Sequence, residues 1–133
     1  MLTGRPSDIC VAVVGGDDRW TNGLVKKLAE SLGATVVAMH SAEELETKIN
    51  GHLPCHVLVI GSDVDPRHRW LQSLRSRFDE RKLPIIVVAQ GEADDDDEYE
   101  VEATRSGANA YYDRGLHPDD GLLEKLVYGL AYE

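Results

Sequence analysis

Short apolar runs recur along the chain, and they do not alternate with polar residues. Four of the runs are rich in valine and isoleucine, and the fifth is shorter and partly aromatic. Continuous runs of this kind are typical of strands buried on both faces, as in a parallel sheet. The pattern predicts five strands, at Ile9–Val14, Thr35–Met39, Val57–Ile60, Ile85–Ala89 and Ala110–Tyr112.

The segments between these runs carry apolar residues at helical spacing, as the crossovers between parallel strands require. The predicted helices are Trp20–Leu32, Ala42–Ile49, Arg67–Arg81, Asp96–Ser106 and Asp119–Tyr132. Gly33 is expected to stop the first helix, and Ser41 with Glu44 forms a capping box at the start of the second. Five strand–helix alternations predict an α/β fold. It is a doubly wound five-stranded parallel sheet in the flavodoxin-like order 2-1-3-4-5, with helices on both faces.

Length and composition place this fold in one domain. The 133 residues suit a single domain over residues 9–133, preceded by a frayed leader at residues 1–8. No stretch approaches the ~20 apolar residues of a membrane helix, and the first residues, MLTGRPSDIC, lack the apolar h-region of a signal peptide, so none is expected. We therefore expect a cytoplasmic protein that keeps Cys10 and Cys55 reduced.

Charge is unevenly distributed along the chain. The net charge is −10, and residues 92–133 hold 13 acidic and 3 basic residues. Phosphates would be repelled, so nucleic-acid binding by this domain is not expected. The acidic region 92–133 is a candidate surface for a protein partner. A basic run within the third predicted helix also makes head-to-tail self-association, and hence a homo-oligomer, conceivable.

Three segments stand in order between residues 9 and 130: LAESLGATVV, LPIIVVAQ and SGANAYYDRG. Together they resemble the receiver domain of two-component response regulators, and the last is similar to the family's AGAxxYxxKP stretch. The resemblance implies an aspartate after the third strand that accepts a phosphoryl group, beside two acidic residues after the first strand that hold Mg²⁺. It also implies a Thr or Ser after the fourth strand and a Lys after the fifth, which bind the phosphoryl oxygens, and a switch aromatic three residues before that Lys.

The sequence departs from this set at nearly every position. The residues found there are Gly15 and Gly16 after the first strand, Gly61 after the third, Ala89 after the fourth and Arg114 after the fifth. Only the aromatic position matches, as Tyr111. Glycine has no carboxylate to attack phosphate or bind a metal, so a degenerate phosphorylation pocket is expected.

These observations predict a pseudo-receiver: a regulatory protein–protein interaction module in signalling, part of a larger protein, with no enzymatic activity, metal or cofactor. In receivers the usual partner face is formed by the fourth helix, fifth strand and fifth helix. The tyrosines that fall in that region are Tyr99, Tyr111, Tyr112 and Tyr128. An alternative remains open, in which some of these tyrosines belong to the core and the acidic run is a solvated loop.

Two further functions stay open. Asp17, Asp18 and Asp63 lie two residues beyond the expected acidic positions, and a displaced pocket formed by them could still accept phosphate as in an active receiver. Asp17 or Asp18 could instead cap the first helix. The Gly15–Gly16 turn and the gap at Gly61 could also hold a small ligand, although neither a dinucleotide-binding nor a P-loop motif is present.

Overall fold

The structure is a computed structural model that describes most of the chain. The described residues are 10–15, 18–33, 35–41, 43–44, 47, 56–61, 64, 69–79, 83–89, 96–113 and 121–131. The strands are β1 (Cys10–Val14), β2 (Thr35–Met39), β3 (Val57–Gly61), β4 (Ile85–Ala89) and β5 (Ala110–Asp113). The helices are α1 (Asp18–Leu32), α2 (Arg69–Arg77), α3 (Asp96–Arg105) and α4 (Gly121–Ala131). The leader predicted over residues 1–8 lies outside the described residues.

The five strands form one parallel sheet in the order β2-β1-β3-β4-β5. This confirms the predicted doubly wound architecture and strand order. Every residue of β3 and β4 is buried, as expected for central strands that are covered by helices on both sides. The edge strand β2 is more accessible, and only Met39 is buried in it.

Two hydrophobic cores lie on opposite faces of the sheet, because successive strand side chains point to opposite sides. On one face, Leu71 and Leu74 of α2 and Ala103 of α3 pack on Ala12 and Val14 of β1, among other core residues. On the other face, α1 and α4 pack on alternate positions of the same strands. Their core residues are Trp20, Leu24, Leu28, Leu123 and Val127. We call these the α2/α3 face and the α1/α4 face.

Glycines end two of the helices in the left-handed region of backbone conformation. Gly33, with φ 66°, follows α1, and its amide donates to the Ala29 carbonyl at 3.0 Å. This confirms the predicted stop. Gly107, with φ 118°, follows α3 in a Schellman motif, in which the Ala108 amide donates to the Ala103 carbonyl at 3.1 Å. That motif gives a physical reason for the glycine in the SGANAYYDRG segment.

Three predicted helix boundaries need correction or completion. The first helix begins at Asp18, two residues before the prediction, and the third ends at Arg77 rather than Arg81. Of the helix predicted over 42–49, only residues 43, 44 and 47 are described, and they are helical. Its predicted cap is present, because the Ser41 hydroxyl accepts the Glu44 amide at 3.3 Å. The Glu44 carboxylate accepts the amide of His40 at 3.4 Å.

The side chain of Arg75 binds the segment that follows the end of α2. Its guanidinium donates to the carbonyl oxygens of Phe78 (3.3 Å), Asp79 (3.2 Å) and Leu83 (2.8 Å), which follow the helix. It also donates to the Gly107 carbonyl at 2.6 Å. A charged side chain therefore satisfies carbonyls of the segment that follows the helix. Of the helices that the structure describes, none is long and apolar enough to cross a membrane.

Candidate functional site

The candidate site lies at the carboxyl ends of the central strands, where ligands of doubly wound sheets bind. Val14 pairs with Ile60, and Gly61 pairs with Val88. This register places Gly15, Gly61 and Ala89 at one edge of three neighbouring strands. The expected degenerate positions at these three residues are therefore brought together.

Backbone contacts hold this edge in place. The Gly15 amide donates to the Met39 carbonyl at 3.0 Å, so the ladder between β1 and β2 continues one residue beyond the strand. After β3, the Val64 amide donates back to the Gly61 carbonyl at 3.1 Å. Gly15, Gly61 and Ala89 are all buried. The edge is thus closely packed from backbone and small side chains.

The first turns of α1 fill the space beside Gly15. A Cβ atom built on Gly15 would lie 2.5 Å from the Thr21 hydroxyl oxygen and 2.9 Å from Cζ3 of the Trp20 ring. Trp20 is 5% exposed and belongs to the core of the α1/α4 face. Sequence reasoning placed Trp20 in the first helix and did not connect it with the site. A glycine ending a strand a few residues before a helix-borne aromatic is the signal that could have suggested this contact.

Thr21 is the one polar residue that is buried among the described residues, with an exposure of 0%. Within the part of the chain that the structure describes, its hydroxyl oxygen has no hydrogen-bond partner. A buried hydroxyl without a partner destabilises a fold by the desolvation free energy of that group. The Thr21 hydroxyl lies beside Gly15 at the site edge, and no hydrogen bond within the described residues accounts for a polar group there.

Several predicted site residues fall where the structure gives no side-chain description. Gly16, Asp17, Asp63 and Arg114 lie outside the described residues, and Asp18 is described only as the first backbone position of α1. The displaced acidic pocket and the Arg114 position therefore remain predictions. Among the described residues, no group of three His, Cys, Asp or Glu side chains could hold a metal ion.

The four tyrosines predicted for a partner face separate into different environments. Tyr111 is half-buried and packs on the core of the α2/α3 face. Tyr112 is 1% exposed in the opposite core, so its assignment to a partner face is wrong. The reason is the alternation of side chains along β5, which is covered by helices on both faces. Tyr128 on α4 is 50% exposed, and Tyr99 is described only as part of the α3 backbone.

Solved structures that are similar to this chain include receiver domains of response regulators. The receiver domain of a Francisella response regulator has a TM-score of 0.76 at 20% identity, covering 93% of this chain and 97% of that chain. A response regulator receiver protein from Pseudoalteromonas atlantica has a TM-score of 0.72 at 20% identity, covering 91% and 95%. The chain has the receiver-domain fold.

A longer solved protein contains the same fold as one part. It is described as a probable two-component system response regulator/GGDEF domain protein. The match has a TM-score of 0.79 at 15% sequence identity, and it covers 96% of this chain and 52% of that chain. No protein-family model matches the sequence, and no curated protein matches it. The receiver fold is therefore established by structural similarity. Sequence identities of 15–20% to these proteins establish the fold and nothing beyond it.

Within the receiver fold, the three described positions at the site edge lack the chemistry that phosphoryl transfer uses. A carboxylate oxygen is needed to attack phosphorus, and hard oxygen ligands are needed to hold Mg²⁺. Gly15, Gly61 and Ala89 supply neither, and Ala89 has no hydroxyl to contact a phosphoryl oxygen. What these three positions can do chemically is limited to close packing and backbone hydrogen bonding.

Proposed function

We propose that this chain is a pseudo-receiver, a signalling domain that works by contacting another protein and does not take up phosphate on aspartate. The observation that carries the proposal is the set of buried residues at the site edge. Gly15, Gly61 and Ala89 stand at the carboxyl ends of β1, β3 and β4, without a side-chain oxygen among them.

The packing beside Gly15 supports the same proposal. A carboxylate at this position would meet the Trp20 ring and the Thr21 hydroxyl, both of which are buried. A larger side chain at this position would therefore require the Trp20 ring and the Thr21 side chain, or the helix that carries them, to shift. The domain is built around a small residue at this position, which favours a constant surface over a phosphorylation-dependent one.

The proposed protein-binding surface is the edge around β5. This strand ends the sheet, and the α2/α3 face and the α1/α4 face meet there. Among the residues whose exposure the structure describes, the large apolar side chains that are exposed are Val101 on α3, at 47%, and Tyr128 on α4, at 50%. Exposed apolar residues within an acidic region suit a protein partner with a basic, partly apolar surface.

The test is treatment of the chain with acetyl phosphate and Mg²⁺, followed by intact-mass spectrometry. A conventional receiver domain treated in parallel serves as the positive control. We expect the control to gain the mass of one phosphoryl group and this chain to keep its mass. The two tryptophans, Trp20 and Trp70, provide a second readout, and Mg²⁺ should leave their fluorescence unchanged.

The variant Asp63→Asn separates the two phosphorylation hypotheses. A phosphoryl group that appears on the natural chain and is lost in Asp63→Asn would overturn the pseudo-receiver proposal. It would instead establish an active receiver that uses displaced acidic residues. A phosphoryl group that persists in this variant would equally contradict the proposal and would place the acceptor elsewhere in the chain.

A further inference from the structure

Strand β2 forms one end of the sheet, and β5 forms the other end. Within the described residues β2 pairs with β1 alone, in unbroken register from Thr35 to Met39. The outer edge of such a strand presents backbone donors and acceptors to which another strand can bind.

The contacts of β2 show which of its backbone groups face this outer edge. The Met39 carbonyl accepts the Gly15 amide, so it faces β1. In a strand, the N–H and C=O groups of successive residues point to opposite sides. The groups of Val37 therefore also face β1, whereas those of Val36 and Ala38 face outward.

The next outward amide is accounted for by a side chain. The His40 amide, just beyond the strand, donates to the Glu44 carboxylate at 3.4 Å. No contact of this kind occupies Val36 or Ala38 within the part of the chain that the structure describes. These two residues thus offer two amides and two carbonyls at the edge of the sheet.

The side chains of β2 do not oppose the addition of a strand. Its sequence, TVVAM, has no charged residue, proline or glycine, and its unbroken register leaves no place for a bulge. Natural edge strands commonly carry such features, which prevent pairing. Val36 and Val37 are half-buried and pack on the cores of opposite faces. An added strand would therefore make backbone bonds and also apolar contacts on both faces.

The distribution of charge favours a second copy of the chain at this edge. Residues 92–133 carry the whole net charge of −10, and they include β5, at the far end of the sheet from β2. Two copies joined at β2 would hold their β5 strands about 40 Å apart in one continuous sheet. That distance is several times the Debye length of about 8 Å at physiological ionic strength. Joining at β5 would instead bring the two acidic regions together.

We propose that β2 pairs antiparallel with β2 of a second copy, about a two-fold axis that passes through Val37 perpendicular to the sheet. Val36 of each copy then lies opposite Ala38 of the other and exchanges two hydrogen bonds with it. Every outward group of the two residues is thereby satisfied. The contact is isologous and closes at two copies. The proposal does not depend on whether the chain accepts phosphate or on the partner surface around β5.

Sedimentation velocity over a range of protein concentrations tests the proposal, and we expect a monomer–dimer equilibrium for the natural chain. Ala38→Pro removes an outward amide and none that faces β1, a position at which edge strands tolerate proline. Two intermolecular hydrogen bonds are lost, so the dissociation constant should rise about tenfold or more. Ala38→Ser keeps the amide and should associate like the natural chain.

Charge exchange at Val37 tests the register, because this residue faces its own counterpart across the axis. Val37→Lys and Val37→Glu each place like charges opposite one another and should associate weakly alone. Their mixture should form a heterodimer, which native mass spectrometry resolves by its mass. Val101→Lys changes an exposed valine on α3, far from β2, and should associate like the natural chain.

A disulfide crosslink measures the same contact in a Cys10→Ser/Cys55→Ser background. Val37→Cys should be crosslinked to its counterpart by oxidised glutathione, since Cα atoms of a non-hydrogen-bonded pair lie about 4.5 Å apart. Thr35→Cys is the matched control on the same strand. Its counterpart would lie about 14 Å away, too far for a disulfide.

Any of four outcomes would overturn the proposal. A natural chain that stays monomeric at every concentration would leave this edge to a different partner. Ala38→Pro that is folded by circular dichroism and dimerises as the natural chain does would place the contact elsewhere. Folded Val37 charge variants that form no heterodimer would exclude the register. Amides of Val36 and Ala38 that resist hydrogen exchange even in dilute monomer would show that the chain covers this edge itself.

Discussion

At the scale of single residues, the packing around Gly15 predicts that a larger side chain there destabilises the fold. A glycine elsewhere on the chain shows what the same substitution does without that packing. Gly15→Ala should lower the free energy of unfolding by about 1–3 kcal/mol, because the new methyl group would overlap Trp20 and Thr21. Gly23→Ala is the matched control. It lies on α1 with open space around its Cβ position, and it should raise stability by about 0.5–1 kcal/mol.

Urea unfolding followed by circular dichroism measures both glycine variants. The same chemical change is made at positions eight residues apart, so the sign of the difference isolates the packing beside the site. Gly15→Ala that is as stable as the natural chain would show that Trp20 and Thr21 make room for a larger side chain at little cost. In that case the argument from packing for a pseudo-receiver would be lost.

The buried hydroxyl of Thr21 yields a second prediction at this scale. Thr21→Val keeps the shape of the side chain and removes a polar group that has no partner among the described residues. It should therefore stabilise the fold by about 1 kcal/mol, whereas Thr21→Ser should not. Chemical denaturation compares the three proteins. A loss of stability in Thr21→Val would mean that the hydroxyl makes a hydrogen bond in solution.

Cys10 lies at the opposite end of β1 from the candidate site and gives a prediction about pH. Burial raises the pKa of the Cys10 thiol above its ordinary value of 9.0. The folded state therefore favours the protonated thiol. Its contribution to stability is fully present below pH 9.0 and is lost as the pH rises through the folded-state pKa.

Two measurements check this assignment in a Cys55→Ser background, which leaves Cys10 as the reactive thiol. Alkylation by iodoacetamide should be slow at neutral pH and should accelerate only at alkaline pH, since the thiolate is the nucleophile. Cys10→Ala should reduce the loss of stability above pH 9.0. Fast alkylation at neutral pH would show that the thiol is not shielded as the structure indicates.

The sequence predicted some site residues and missed others, for reasons that differ from residue to residue. Gly15, Gly61 and Ala89 were predictable, because a residue that follows a buried apolar run lies at the end of its strand. Trp20 was not, because its contact with Gly15 depends on how α1 packs on the sheet. Tyr112 was misassigned because the register of β5 decides which of two adjacent tyrosines enters which core.

At the scale of elements, Arg75 connects the end of α2 with the turn after α3. Arg75→Met keeps much of the apolar stem and removes the donors to Phe78, Leu83 and Gly107. It should destabilise the fold by about 2–4 kcal/mol, because several part-buried carbonyls lose a charged donor together. The matched control, Arg69→Met on the exposed surface of α2, should change stability by about 0.5 kcal/mol or less.

Thermal and urea unfolding measure the two arginine variants, and amide hydrogen exchange locates the effect. Exchange in Arg75→Met should rise at the amides of residues 78, 79, 83 and 106–109, which lie in the segments that the guanidinium contacts. Equal stability of the two variants would contradict a capping role for Arg75. The contacts of Arg75 could not be predicted from the sequence, since a side chain that reaches eight residues along the chain leaves no local pattern.

At the scale of the whole molecule, the layered fold was the most predictable property. Burial of β3 and β4 on both faces produces uninterrupted apolar runs, and crossover handedness then leaves few topologies. The neighbouring positions of α2 and α3 also follow from that topology. In the sequence, the arginines of α2 and the acidic residues of α3 belong to separate segments. Only the fold shows that these two helices lie on the same face of the sheet.

The same charge distribution predicts how salt affects folding. Residues 92–133 hold 13 acidic and 3 basic residues, which equals the whole net charge of −10. Folding brings these charges closer together than they are in the unfolded chain, so their repulsion destabilises the folded state. Raising NaCl from about 0.01 to 0.15 M shortens the Debye length from about 30 to 8 Å and should raise the melting temperature by a few degrees.

Paired neutralisations locate that repulsion. Glu102→Gln removes one charge from the acidic region, and Glu30→Gln removes one from α1, within the part of the sequence whose charges balance. Glu102→Gln should raise the melting temperature at low salt and reduce its dependence on NaCl, whereas Glu30→Gln should do neither. Calorimetry at concentrations where sedimentation finds only monomer keeps self-association out of the comparison. A melting temperature that falls with added NaCl would show that attractive ion pairs outweigh the repulsion, and the acidic region would then be internally paired and less available to a basic partner.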